Sequence, residues 1–199
     1  MNPLSVNPWK GPHFASTRLL LLGESAYSWR NDRGEVVHPS AQHPTEQVRG
    51  IIAKFDDPDQ PFMQALSRAL TNEKAPQRDR LGFVWDRVAF ANFVPGTVGV
   101  RGETDNTRPG RKDWERGRSE FPALLEEVKP LRMIQFGTEA WSELPSADVG
   151  EGLGAHAFRL STGELCWCQA FAHPAHGGVS WRTLASAIYF TFADQFRAT

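Results

Sequence analysis

Several things are scarce in this 199-residue sequence, and each scarcity excludes a class of function. There is no excess of one charge: 22 Lys and Arg face 23 Asp and Glu, a formal net charge of −1. A globally basic coat for nucleic acid is therefore excluded, although a local basic patch is not. No apolar run approaches the roughly 18 residues of a membrane-spanning helix. The first dozen residues carry no apolar leader core, so a cytoplasmic protein is expected. The only cysteines are Cys166 and Cys168. Two thiolates are too few for a cysteine-ligated zinc or iron–sulfur site, and the pair reads as ordinary reduced thiols, expected on opposite faces of a strand. No Gly-Xaa-Ser-Xaa-Gly elbow, P-loop or Gly-Xaa-Gly-Xaa-Xaa-Gly fingerprint occurs, which disfavours serine hydrolases, nucleoside triphosphates and dinucleotides.

What is present fits one α/β domain spanning 1–199. About 40% of residues are apolar, enough for a sizeable core. Of the basic residues 17 are arginine, a composition suited to phosphate recognition, and seven tryptophans supply core or interface anchors. Three apolar runs end at Gly or Pro and read as buried strands: 17–23, 88–94 and 131–137. Two further strands are expected over 155–160 and 164–172. Helices are expected over 45–55 with Thr45 as N-cap, 62–70, 112–128, 139–144 capped by Thr138, and from Ser180 to about 196. Segments 24–44, 72–80 and 97–111 read as loops, the last functional or mobile. Strands alternating with helices predict a mostly parallel sheet covered on both faces.

In such a sheet ligands bind outside the carboxyl ends of the strands. Three polar segments fall there. Glu24 follows the four-leucine strand and a glycine, where partial desolvation would suit a general base. Asn92 interrupts an apolar strand; a buried amide there either braces a loop or reads a ligand. His173 opens a His-Pro-Ala-His-Gly-Gly loop, where an imidazole can donate to a developing anion. His173 and His176 lack a clear third partner for zinc, and no metal or cofactor is expected. The 101–118 segment holds six basic and four acidic residues. Its arginines read as a solvated loop or as phosphate contacts.

Taken in order, these segments resemble the uracil-DNA glycosylase superfamily. The features that carry the resemblance are Gly23-Glu24-Ser25-Ala26-Tyr27, then Ala91-Asn92-Phe93-Val94-Pro95-Gly96, then Arg108-Pro109-Gly110 before Trp114. The run Met133 to Trp141 and the His173-Pro174 loop complete the set, which covers roughly 18–196. The resemblance implies a three-layer α/β/α sandwich with a central four-stranded, mostly parallel sheet. It implies a monomeric, monofunctional DNA glycosylase that hydrolyses the N-glycosidic bond of uracil or another damaged base flipped out of DNA. Glu24 would stabilise the sugar cation and position water, and His173 would stabilise the leaving base. Asn92 would read that base, with Tyr27 and Ser25 beside it. Arg101, Arg108, Arg111, His176 and Trp181 are the candidates for DNA contact.

The chain also departs from the family pattern. Ser25 stands where the best-known branch carries an aspartate, and no Ser-Pro-Leu follows His173. A binding protein that keeps this fold without the chemistry is the alternative reading, and a hydrolase of free nucleosides is a third.

Overall fold

A computed structural model describes residues 4–101, 108–150, 155–174 and 179–196. In chain order they form β1 (Trp9–Lys10), β2 (Leu19–Gly23), β3 (Ala26–Arg30), β4 (Val36–Val37), α1 (His43–Ala53), α2 (Pro61–Thr71) and α3 (Arg78–Trp85). There follow β5 (Val88–Asn92), β6 (Thr97–Val100), α4 (Arg111–Val128), β7 (Arg132–Phe136), α5 (Thr138–Ser142), β8 (Ala155–Arg159), β9 (Leu165–Phe171) and α6 (Trp181–Phe196). The main sheet runs β1-β5-β2-β7-β9-β8. Its four inner strands, β5, β2, β7 and β9, are all parallel, and β1 and β8 close the two edges antiparallel. The mixed α/β architecture with a mostly parallel central sheet is as the sequence pattern predicts, but the sheet has six strands rather than the expected four, because β1 and β8 add antiparallel edges.

The central strands β2 and β5 are apolar on both faces because both faces are covered. Leu20, Leu22, Ala89, Ala91 and Met133 face a core layer that includes Trp114, Phe121, Leu124 and Leu125 of α4. Leu19, Leu21, Val88, Phe90, Ile134 and Phe136 face the opposite layer, made by α1, α2, α3 and α6. All four leucines of β2 are fully buried. Each contributes roughly 2 kcal/mol of burial free energy, which is why an uninterrupted leucine run forms the central strand rather than a half-exposed one.

Several local expectations are corrected. The 24–44 and 97–111 segments are not simply loops. They supply β3, β4 and β6, which pair as a small sheet in the order β4-β3-β6. Ser28 is buried within β3 because its hydroxyl meets Nδ1 of His38 at 2.8 Å. Residues 78–80 open α3 instead of closing a loop. α1 begins at His43, with Pro44 in its first turn fixing a helical φ, so Thr45 is already inside the helix. Gly137, at φ 100°, turns the chain straight from β7 into α5, so Gly137 and not Thr138 occupies the N-cap. Cys166 and Cys168 share one face of β9, both buried in the α4-side layer. Strand side chains repeat every two residues, which overturns the expectation of opposite faces. Burial pushes the Cys166 thiol up to about 12 and raises Cys168 as well, so both stay protonated and unreactive.

Candidate functional site

The strand order sets where a site belongs. From β2 the chain crosses to β5 on one side and then to β7 on the other, so the connections leave in opposite directions around the end of β2. In open parallel sheets that switch point leaves a crevice at the carboxyl edge. Gly23 and Glu24 lie at this point. The main chain there is fixed by Phe93 N–H donating to Gly23 C=O and Val94 N–H donating to Glu24 C=O, both at 2.9 Å.

Two glycines make room for two polar side chains. Gly23 pairs with Asn92 across β2 and β5. A Cβ added at Gly23 would collide with Oδ1 of Asn92, so the amide fills the space a side chain would take. A Cβ added at Gly137 would stand 2.9 Å from Oε2 of Glu24. The carboxylate thus leans from the end of β2 over the first turn after β7, directly at the switch point.

Among the described residues the Asn92 side chain makes no hydrogen bond, and it is partly exposed. The Ser25 Oγ is buried with no hydrogen-bond partner. Buried polar groups are normally satisfied, so the Ser25 hydroxyl is an exception, while the partly exposed Asn92 amide carries a donor and an acceptor side by side at the strand end.

His173 follows β9, and its ring stacks on Phe62 with centroids 4.8 Å apart and planes at 22°. Phe62 opens α2 and meets Phe136 edge-on at 5.5 Å. A Cβ on Gly23 would stand 3.5 Å from the Phe62 ring. Phe62 therefore links the imidazole to the Gly23–Asn92 corner. Its role was not visible in the sequence, because the α2 periodicity places it on the core face without showing that it caps the strand ends. Glu24, Phe62, Asn92 and His173 are all partly exposed, so the edge is open to solvent.

The outer side of Asn92 is narrower. One cavity of about 20 Å³ is lined by Leu4, Val6, Phe93, Pro95 and Asn92. Another of about 10 Å³ lies between Asn92, Val6, Ser40 and His43. Each is about the size of one water. The N-terminal segment closes this side: the Ser5 hydroxyl donates to Glu120 at 2.8 Å, and Asn7 N–H donates to Ala41 C=O at 2.8 Å. Burial lowers the pKa of His43, opposed by Glu46, so its ring is neutral at pH 7.

The other candidates are more scattered. Tyr27 is half-buried against the α4-side core. Trp181 packs partly against the opposite layer, with the Arg182 guanidinium 5.2 Å from its ring. Each expected DNA-contacting arginine already has a carboxylate: Arg101 with Asp59 at 3.3 Å, Arg108 with Glu139 at 3.1 Å and Arg111 with Glu115 at 3.2 Å. Such exposed pairs are weak and exchange readily for a phosphate, but they do not mark a ready-made basic groove. His176 lies outside the described residues. Among the described residues no cluster of His, Cys, Asp or Glu could hold a metal ion, and no helix is long and apolar enough to cross a membrane. No protein-family model matches the chain, and no curated protein matches it.

Proposed function

We propose that the protein is a monofunctional DNA glycosylase, a monomer acting on uracil or another damaged base, with a uracil-DNA glycosylase-like α/β/α sandwich. The observation that carries the reading is the Asn92 amide filling the space beside Gly23, with Glu24 at the switch point and His173 on the neighbouring Phe62 ring.

Cleavage of an N-glycosidic bond needs few parts. The C1′–N bond breaks with its electron pair passing to the base, and the sugar becomes an oxocarbenium-like cation. Glu24 stabilises that cation and orients a water; the water oxygen bonds to C1′, and its proton passes to the carboxylate or solvent. His173 donates a hydrogen bond to the base as it leaves with negative charge. Asn92, with an acceptor and donors on one amide, pairs with the edge of the extruded base. Phe62 offers it an apolar surface.

A binding module without chemistry is the second reading. It is favoured by the cavities at Asn92, which hold about one water each. Incubation of the protein with a panel of lesion-bearing single- and double-stranded oligonucleotides separates the two. The glycosylase reading expects free base and an alkali-labile abasic site from at least one lesion. Ligand-dependent stabilisation with no product from any of them supports the binding module instead.

A further inference from the structure

We propose that the solvent-facing side of β8 and β9, centred on Trp167, is a platform for unpaired nucleic-acid bases. It is separate from the Glu24 edge and independent of any turnover there. The indole is 39% exposed in the middle of β9. Cys166 and Cys168 on either side of it are buried, so β9 alternates and presents Trp167 and Gln169 on its open face.

The strand register defines its surroundings. Arg132 of β7 is its direct partner on one side, and Ala157 of β8 on the other. Beyond Ala157, Val149 joins the same row through an isolated bridge and is 37% exposed. Arg159 lies diagonally across from Trp167 on the same face, and Gln169 is exposed two residues along β9. Cross-strand neighbours at such offsets are roughly 5–8 Å apart, within reach of long side chains.

The charges favour a polyanion. Among the described residues neither Arg132 nor Arg159 has a carboxylate partner. Their guanidiniums donate only to the main-chain carbonyls of Leu131 at 3.5 Å and Gly163 at 3.3 Å. Of the nearby acids, Glu164 pairs with Arg18, and Asp148 accepts the Arg159 backbone N–H at 2.8 Å without pairing with a guanidinium. An open indole flanked by two available guanidiniums fits a base stacked on the ring with its neighbouring phosphates on the arginines. A two-fold contact with a second copy of this chain would set the same cations against each other. Stacking on the indole face requires an unpaired base, which selects single strands.

The test is fluorescence anisotropy of a labelled oligothymidylate with the full-length protein at low salt. Trp167→Ala is expected to weaken binding about fivefold or more, and Trp167→Phe to retain most of it. Arg132→Gln and Arg159→Gln should each flatten the dependence of log affinity on log salt by about 0.7. Unchanged binding by Trp167→Ala overturns the proposal. So does a wild-type dimer on gel filtration that Trp167→Ala converts to monomer, which would make a second copy the occupant. Base release is not part of the readout, so failure of the glycosylase reading leaves this result intact.

Discussion

The two ends of the parallel strands use polar groups in opposite ways. At the amino end, Arg18 closes the sheet: its guanidinium donates to Oε1 and Oε2 of Glu164 at 2.7 and 2.9 Å and to Lys129 C=O at 2.8 and 2.9 Å. Its own carbonyl accepts from Leu131 and Arg132, and Thr17 donates its hydroxyl to Arg87 C=O. At the carboxyl end, among the described residues, the buried Ser25 hydroxyl meets no partner and the partly exposed Asn92 amide makes no hydrogen bond within the protein. Polarity at the amino end is committed to the fold, and on the function proposed above the Asn92 amide at the other end is used by a ligand. A buried polar group left without a partner costs about 1–3 kcal/mol, and the buried Ser25 hydroxyl beside the switch point is one such group.

Substitutions at the two ends should therefore separate activity from stability. The largest effect is expected for Glu24→Gln. Loss of the carboxylate should slow single-turnover base release on the order of 10³-fold while DNA affinity changes little, because the charge acts on the transition state. Equal losses in both would mean that Glu24 is part of the binding surface. Gly23→Ala should come next. Its Cβ displaces the Asn92 amide, and base release should fall about 10²-fold while the protein still folds. A fully active Gly23→Ala would show that Asn92 need not stand where it does.

Arg18→Ala should do the reverse. Loss of its hydrogen bonds is expected to cost about 1 kcal/mol in denaturant unfolding, with base release unchanged. The smallest effect is a pH dependence at the same end. The hydrogen bond from Arg18, and then that from Thr162, holds the Glu164 pKa below the usual carboxylate value. A carboxylate with a depressed folded-state pKa contributes stability above its unfolded pKa and loses it as pH falls through the folded one. Urea midpoints measured down through and below the ordinary carboxylate range should fall less steeply for Glu164→Gln than for wild type.

The same contrast explains what the sequence made legible. The committed parts of the fold were written in local pattern. The leucine run of β2, the Val88-to-Asn92 strand and the Ser180 cap, whose Oγ accepts the Thr183 N–H at 3.1 Å, all stand where the apolar runs and stop signals put them. The small sheet was not legible. β3 alternates normally, but its partners β4 and β6 are short, and the buried Ser28 is accounted for only by His38, ten residues away. Glu24, Asn92 and His173 were legible as polar breaks at strand ends. Phe62 was not, because its stacking on His173 depends on how α2 meets the sheet. The exposed Trp167 carried no signal either, since a tryptophan between two buried cysteines reads as core, whereas β9 alternates and turns Trp167 and Gln169 outward.

The availability of the Asn92 amide is the centre of this account, and it can be observed directly. Side-chain NH₂ resonances of ¹⁵N-labelled protein, with Asn92 assigned through Asn92→Asp, should be followed during titration with a short uracil-containing oligonucleotide that carries a non-hydrolysable glycosidic linkage. A large shift of the Asn92 amide, with the Arg18 guanidinium signals unmoved, is the predicted result. An Asn92 resonance that stays fixed while the oligonucleotide binds would contradict it.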